Sequence, residues 1–323
     1  MADQIANQPA KAALQTTAQP KVRARFGWLT DRWLVAGFLS PTMILLLFIT
    51  VFPLIWSLYL SFTSYSPARD SSWTLAKWVG LKNYADLLTD AQVWARFTVS
   101  ASFVVPTVAL EFVLGFGIAL LFNRPFKGRA FITTAILIPM MLSTVVVGLF
   151  WRFILQADIG VANYFIHDLL GLQAVHWLTD RTSALVSLII VDAWQWTPFV
   201  FLISLAGLAA VPKYLYEAAD VDRASAWFKF RHITLPLISP LLLIAVLFRL
   251  MDTYKLFDLV WVLTDGGGST NTKVLPSYLY EVAFGSFQTG RASAIGYVML
   301  VVIIALANLL IRALNQTKSA PGN

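Results

Sequence analysis

Cysteine is absent from the 323-residue sequence, and charged residues make up only 13% of it. Without cysteine, the chain has no disulfide bond, thiolate metal site or cysteine nucleophile. A soluble domain typically has about 25% charged residues, whereas this chain has few charges and 58% apolar residues. That is more apolar surface than one globular core can bury, so the composition excludes an ordinary soluble protein and a disordered chain.

In place of these features, the sequence contains six long apolar stretches, each near the roughly 20 residues that cross a bilayer core. They cover residues 33–60, 98–122, 130–155, 183–208, 240–263 and 293–314. We therefore predict an all-α polytopic membrane protein with six transmembrane helices. The polar residues 1–32 contain no apolar core of a signal peptide, and we predict that they form an N-terminal tail.

The distribution of charge between the connecting segments predicts the topology. On the side of the N-terminus, Lys and Arg outnumber Asp and Glu by 14 to 5, whereas the opposite loops have 8 of each. Positive charge concentrates on the cytoplasmic side of membrane proteins, so both termini, including the tail at 315–323, are predicted to be cytoplasmic. Segment 61–97 is then a partly structured periplasmic loop, and 209–239 is a cytoplasmic loop. Topology also accounts for the sequence pI of 9.6, and no basic face remains for nucleic acid.

Four charges of alternating sign lie three residues apart in the fifth apolar stretch: Arg249, Asp252, Lys255 and Asp258. Residues at this spacing are neighbours on a helix, so each charge can pair with the next. Charges inside a bilayer are costly unless they face protein or water, which predicts that this stripe faces the bundle interior. It forms either a polar wall of a translocation path or a self-neutralising network between helices.

A second group of polar and aromatic residues lies in the fourth stretch, where Asp192 is followed by Trp194 and Trp196. Sugars present C–H faces to aromatic rings and hydroxyls to carboxylates, so this mixture suits a polyol. The alternatives are an interfacial role for each Trp and a buried bond to a neighbouring helix for Asp192 or Glu111. The candidate pathway residues are Asp192, Trp194, Trp196, Arg249, Asp252, Tyr254 and Asp258.

The loop at 209–239 has helical spacing and exposed apolar positions, which favour docking of a partner. It contains Glu217-Ala218-Ala219 and, fourteen residues after the last of these, Ile-Thr-Leu-Pro at 233–236. In this arrangement it resembles the EAA loop of binding-protein-dependent ABC importer permeases. The alternative is a solvated amphipathic helix.

The resemblance implies that the loop forms two short coupling helices that insert into a cleft of an ATPase subunit. Glu217 would pair with a basic group of that partner, the small Ala218 and Ala219 would permit close approach, and Asp222 and Arg223 would complete the coupling set. The family has Gly where this chain has Arg223. Gly tolerates positive φ, whereas another residue there costs about 1–2 kcal/mol. Arg223 therefore either adopts another turn or uses its charge at the docking surface.

Further motifs extend the resemblance, in the family's order, to permeases of the maltose and glycerol-phosphate type. They lie at 52–63 (FPLIWSLYLSFT), 79–88 (VGLKNYADLL), 194–199 (WQWTPF), 205–208 (LAGL) and 257–268 (FDLVWVLTDGGG). The resemblance implies a type I ABC importer (MetI-like) core of five helices over 98–314, located in the bacterial cytoplasmic membrane. It also implies a carbohydrate-type solute, a second homologous permease, two ATPase subunits and an extracytoplasmic solute-binding protein.

The chain has no Walker A motif, no His spacing typical of a metal site and no catalytic constellation. We therefore expect a non-catalytic subunit without a cofactor of its own, with ATP and Mg²⁺ bound to the partner ATPase. A different class of function is an ion-coupled secondary transporter that uses the intramembrane charges. It predicts inverted repeats and broken helices, neither of which is evident in the sequence, and it leaves the docking loop unexplained.

Overall fold

The computed structural model describes residues 31–267 and 272–319. Within these ranges the secondary structure is helical, and one isolated bridge between Thr63 and Trp78 is the sole β interaction. The predicted all-α class is therefore confirmed. The predicted tail at 1–32 lies almost entirely outside the described residues, as do the last glycine of the 257–268 motif and residues 320–323.

Thirteen α-helical segments follow one another along the described chain. They are α1 Asp31–Ser61, α2 Lys82–Thr89, α3 Ala91–Phe122, α4 Arg129–Met141, α5 Thr144–Ile154, α6 Val161–Asn163, α7 Arg181–Ala210, α8 Lys213–Val221, α9 Ala226–Lys229, α10 Leu235–Tyr254, α11 Asp258–Thr264, α12 Leu275–Tyr280 and α13 Thr289–Ser319. The chain divides into two compact units at Ile55. Up to that residue, α1 is apolar and exposed on all sides, which requires lipid or another chain around it.

Among the described residues, five helices are long and apolar enough to cross a membrane. They are Trp33–Ser61, Ala91–Phe122, Arg181–Ala210, Ala226–Tyr254 and Thr289–Asn315. The pair α4 and α5 makes a sixth span if it is counted as one, which agrees with the predicted number. The last helix also continues to Ser319, into the segment that we predicted to be a C-terminal tail.

The third span is broken, contrary to the prediction of one continuous helix over 130–155. Its two halves, α4 and α5, are bent by 96° because Leu142 and Ser143 adopt extended backbone angles. The buried Gln195 of α7 donates a hydrogen bond of 3.1 Å from its amide to the Leu142 carbonyl. Gln195 therefore supplies the hydrogen-bond donor that the Leu142 carbonyl lacks at the end of its helix.

The fifth span also differs from the prediction, which extended one helix over 240–263. The observed helix begins at Ala226, passes through a π-helical stretch at Phe230–Thr234 and ends at Tyr254. Residues 255–257 are not helical, and the apolar residues after them belong to the separate helix α11. The prediction failed because the apolar run continues across a break in the backbone. Asp258 is therefore not on the same helix as Arg249.

The helices α3 and α7 pack closely against each other in the core. A Cβ atom on Gly115 of α3 would lie 2.8 Å from the Val200 Cβ and 2.9 Å from backbone atoms of Thr197 and Phe201. The two helices thus approach at a point where only glycine fits, and the backbone atoms cannot move aside as a side chain could.

We expect Gly115→Ala to destabilise the protein by about 1–3 kcal/mol, because overpacking a close helix contact forces backbone shifts. Gly117→Ala is the matched control on the same helix, since a Cβ there meets no atom within 4 Å. The measurement is the temperature at which the detergent-solubilised protein loses its monodisperse size-exclusion peak. Equal temperatures for the two variants would contradict the packing assigned to Gly115.

Segment 61–97 is structured at the end of the bundle where α3 and α13 begin. Asn83 of α2 donates hydrogen bonds to the Ser61 and Thr63 carbonyls, and Arg291 of α13 pairs with Asp90. These contacts and the helix Lys82–Thr89 agree with the expectation that this segment is partly structured. The loops that join α3 to α4 and α7 to α10 lie at the opposite end.

Candidate functional site

Three helices meet at a buried ionic cluster centred on Arg249 of α10. Its guanidinium donates to both oxygens of Glu111 of α3, with Nε–Oε2 at 2.7 Å and Nη2–Oε1 at 2.8 Å. Nη2 also donates to Asp192 Oδ2 of α7 at 2.9 Å. The Arg249 side chain is 2% exposed and both carboxylates are 0% exposed, so the cluster ties α3, α7 and α10 together away from solvent.

The geometry of the cluster offsets the cost of burying its charges. Burial of an ion costs several kcal/mol, which attraction repays only when the geometry and hydrogen bonding are good. Here the pairing with Glu111 is bidentate, which is the strong form of an Arg–carboxylate contact. Thr253 accepts a further hydrogen bond at 2.9 Å, and the guanidinium lies 4.7 Å from the centre of the Trp196 ring. Glu111, Asp192, Thr253 and Trp196 thus hold the Arg249 guanidinium in place.

Asp252 extends the cluster toward an open cavity. Its carboxylate lies 3.3 Å from Arg249 Nη1 and 3.2 Å from Lys255 Nζ, and both Asp252 and Lys255 are partly exposed. The cavity measures about 300 Å³ and is lined by Trp196, Phe199, Phe248, Arg249, Met251, Asp252 and Lys255. Its lining thus combines three aromatic side chains with a carboxylate and an ammonium group. Few polar groups in a mainly apolar cavity fix the orientation of a small molecule.

The structure brings together four of the seven predicted pathway residues: Asp192, Trp196, Arg249 and Asp252. Trp196, Arg249 and Asp252 line the cavity, whereas Asp192 lies behind it in the buried cluster. The predicted helical pairs of Asp252 with Arg249 and Lys255 are present. The predicted pair of Lys255 with Asp258 is not seen in the part of the chain that the structure describes, because the helix ends between them.

The other three candidates lie elsewhere. Trp194 is on a different face of α7, with its ring 5.5 Å from that of Trp151. Tyr254 is buried in the main apolar core, and Asp258 is exposed at the start of α11. A helix turns about 100° per residue, so Trp194 and Trp196 face different directions although they are close in sequence.

Two features of the site were not predicted. Glu111 was noted as an intramembrane acid, but its partner is 138 residues away, and no spacing rule connects them. Phe199 and Phe248 line the cavity, yet each is one of 23 Phe residues in apolar surroundings. Their only sequence signal is proximity to Trp196 and Arg249.

A second surface is formed by α8 and α9 in the 209–239 loop. Glu217, Ala218 and Asp222 are exposed, as are the rings of Tyr214 and Trp227. Ala219 is buried within the chain, so it is not at the surface that the resemblance implies. The Tyr216 hydroxyl bonds to Thr234 Oγ1 at 2.7 Å, which anchors α8 to the start of the fifth span.

Arg223 adopts the left-handed conformation, with φ of +53°. The amide of Ala224 donates to the Ala219 carbonyl at 2.8 Å and that of Arg223 to the Asp220 carbonyl at 3.0 Å. These two bonds define the Schellman motif, in which glycine is the usual left-handed residue. Of the two alternatives left open for Arg223, a different turn is therefore excluded.

Comparison with known proteins places these observations in a family. Residues 111–319 match the family described as "Binding-protein-dependent transport system inner membrane component". A probable ABC transporter permease protein, y4oQ of Sinorhizobium fredii, is 38% identical over 86% of this chain and 88% of its own. The trehalose/maltose transport system permease protein MalF of Thermococcus litoralis is 36% identical over 72% of this chain and 78% of its own.

A third relative and a solved structure agree with this result. The trehalose transport system permease protein SugA of Mycobacterium tuberculosis is 33% identical over 91% of this chain and 92% of its own. The crystal structure of a bacterial ABC transporter involved in the import of the acidic polysaccharide alginate matches with a TM-score of 0.76 and 23% identity, over 88% of this chain and 96% of that one. That match shows the fold. This chain belongs to the family of binding-protein-dependent transport system inner membrane components.

Proposed function

We propose that this chain is the permease subunit of an ATP-driven importer of a sugar, oligosaccharide or sugar alcohol, and that it forms half of the translocation pathway. The proposal rests on the cavity of about 300 Å³ beside Trp196, whose lining combines aromatic side chains with Asp252 and Lys255. Such a lining suits a molecule with apolar C–H faces and many hydroxyls. Two relatives are named as permease proteins of trehalose/maltose and trehalose transport systems, which supports the same solute class.

The remaining subunits follow from the family. A second homologous permease supplies the other half of the pathway, two cytoplasmic ATPases bind ATP and Mg²⁺, and an extracytoplasmic protein delivers the solute. Both chain termini are cytoplasmic, as the Lys and Arg distribution predicts. In this assembly the chain has no cofactor and no hydrolytic role.

The surface formed by α8 and α9, which we call the coupling surface, converts ATP binding into movement of the helices. Closure of the ATPase dimer draws the helices at 211–233 together with those of the second permease. Because Tyr216 is bonded to Thr234, this displacement reaches α10, which holds both Arg249 and the cavity. The two permeases then rock from inward-open to outward-open around a midplane cavity, into which the binding protein delivers the solute. ATP drives this change only through its higher affinity for the closed ATPase dimer than for the open one.

A secondary transporter is the second candidate, and one observation favours it. The break between α4 and α5 is the kind of discontinuous helix found at ion and substrate sites of such proteins. This break was not evident in the sequence. The exposed α8–α9 surface is better explained by an ATPase partner, which a secondary transporter does not have.

The direct test is mass spectrometry of the proteins that co-purify with this chain from native membranes in a gentle detergent. We expect a second permease of this family and an ATPase. Recovery of this chain alone, self-associated, would contradict the importer and favour the secondary transporter.

We expect Trp196→Leu to reduce uptake by about tenfold, because leucine retains apolar volume but removes the aromatic face and its contact with Arg249. Trp194→Leu, two residues away on another face, is the matched control. The measurement is the initial rate of uptake of radiolabelled trehalose and maltose by cells that contain the complete system. Equal rates for both variants and the wild type would exclude this cavity from the pathway.

A further inference from the structure

Three cations lie within a short stretch of sequence where α3 ends and α4 begins. Residues 123–131 read Asn-Arg-Pro-Phe-Lys-Gly-Arg-Ala-Phe, and no Asp or Glu occurs in residues 112–157. We name residues 123–131 the basic turn. Arg124 and Lys127 are exposed and Arg129 is partly exposed. The ion pairs in the described part of the chain all involve other residues, so none of them neutralises this positive charge.

Exposed apolar side chains flank these cations on both helices. Leu121, near the end of α3, is 74% exposed, and Phe131, in the first turn of α4, is 80% exposed. Both helices are apolar enough to belong to membrane spans, and lipid hydrocarbon is the surrounding that such side chains favour. Large apolar groups next to Lys and Arg are typical of segments that lie at the membrane surface. The sequence of the basic turn therefore fits the boundary between hydrocarbon and headgroups.

The connection between the two helices is too short to extend far beyond the lipid headgroups. Only residues 123–128 lie between α3 and α4. At about 3.5 Å per residue, six residues that run out and back reach about 10 Å at most, whereas the headgroup layer on each side of a bilayer is about 5–8 Å thick. The coupling surface, at the same end of the bundle, has helices of its own. The cations of the basic turn therefore lie near the level of the lipid phosphates.

Packing against the core holds the basic turn in place. The Phe126 ring centre lies 5.1 Å from that of Phe122, which lies 5.4 Å from that of the fully buried Phe201 of α7. The Arg129 amide donates to the Phe126 carbonyl at 3.3 Å. Gly128 has a φ of +84°, a conformation that glycine adopts at little cost. The cations thus belong to an ordered turn, which reduces the conformational entropy lost when an anion binds.

We propose that the basic turn binds the headgroup of an anionic phospholipid, in the leaflet on the side of the coupling surface. The lipid phosphate pairs with Arg124, Lys127 and Arg129, and its acyl chains contact Leu121 and Phe131. Basic segments at a membrane surface attract anionic headgroups, and each Lys or Arg strengthens the attraction about fivefold. The bound lipid holds the adjoining ends of α3 and α4 at the headgroup layer. The site is independent of the solute that the protein transports.

The test measures lipid binding to the purified complex by native mass spectrometry, in detergent micelles that contain equal amounts of phosphatidylglycerol and phosphatidylcholine. The first triple variant removes the cations of the basic turn: Arg124→Gln, Lys127→Gln, Arg129→Gln. The control variant also removes three exposed cations, but from separate elements at the opposite end of the bundle: Lys77→Gln, Lys82→Gln, Arg181→Gln. The three single variants of the basic turn are measured as well. Inorganic phosphate in excess is the competitor, and co-purification of the ATPase is recorded for each variant.

We expect the wild type and the control variant to bind phosphatidylglycerol about tenfold more strongly than phosphatidylcholine, and the first triple variant to bind both lipids equally. Each single variant should lose up to about fivefold of the preference, which decides the matter if the triple variant does not fold.

Inorganic phosphate should not displace the lipid, because it has no acyl chain to contact the apolar side chains. An unchanged preference in the single and triple variants, or no preference in the wild type, would overturn the lipid site. Displacement by inorganic phosphate would show a site for free anions and overturn it too. Loss of the ATPase from the first triple variant, with lipid preference unchanged, would make the basic turn a protein interface instead.

Discussion

Arg249→Met is expected to produce little folded protein. The substitution leaves Glu111 and Asp192, both fully buried, without the cation that they share. Breaking a buried ion pair by removing one partner costs about 3–5 kcal/mol, which is a large part of the about 5–15 kcal/mol that stabilises a typical protein. The measurement is the yield of monodisperse protein by size exclusion after detergent extraction.

Two further variants distinguish the cause. Lys255→Met removes a cation from the same helix end, but the Lys255 side chain is 63% exposed, so its yield should equal that of the wild type. The triple variant Glu111→Gln, Asp192→Asn, Arg249→Met removes all three charges and should recover much of the yield, because neutral replacement of a buried ion cluster is often tolerated. Wild-type yield of Arg249→Met itself would show that the cluster does not hold the bundle together.

The two roles that the sequence left open for the charged stripe are thus divided between its members. Arg249 forms ion pairs with Glu111 and Asp192 of two other helices, so it belongs to the network between helices. Asp252 and Lys255 are partly exposed at the cavity and suit a polar wall. If a variant of Arg249 folded but lost transport, Arg249 would instead belong to the polar wall of the translocation path.

Glu217→Lys is expected to remove the ATPase from the purified complex while leaving the permease folded. The Glu217 carboxylate is exposed on α8, and α8 itself is held by the Tyr216–Thr234 hydrogen bond. Reversal of a charge that pairs across an interface costs about 2–5 kcal/mol of association free energy, or more than tenfold in affinity. The readout is the ratio of ATPase to permease after purification in gentle detergent.

Asp86→Lys is the matched charge reversal for this experiment. Asp86 is exposed on α2, where it pairs with Lys82, at the end of the bundle away from α8. We expect that variant to retain the ATPase. Retention of the ATPase by Glu217→Lys at the wild-type ratio would remove Glu217 from the coupling surface, and loss from both variants would indicate a nonspecific effect of charge.

The number and approximate positions of the spans could be predicted from the sequence, because length and hydropathy alone determine which segments fit a bilayer. The breaks could not. Residues 142–143 interrupt an apolar run and residues 255–257 interrupt the charged stripe, and neither break has a composition of its own. At the first break, the Gln195 amide of another helix binds the Leu142 carbonyl. Tertiary contacts of this kind leave no periodic signal.

The candidate site was predictable to the extent that its members share a helix face. The pairs of Asp252 with Arg249 and Lys255 followed from a spacing of three residues. The bond between Arg249 and Glu111 did not, because it joins α10 to α3. The conformation of Arg223 could be predicted only through the family's glycine, and the Schellman hydrogen bonds give its physical reason.

In the proposed function, ATP and not an ion gradient drives a sugar through the pathway that this chain forms. The measurement is uptake of radiolabelled trehalose and maltose into proteoliposomes that contain the purified complex, with the binding protein outside and ATP inside. We predict uptake that requires both ATP and the binding protein and that continues after ionophores collapse proton and sodium gradients. Uptake that persists without ATP and stops when those gradients collapse would contradict the importer and establish the secondary transporter.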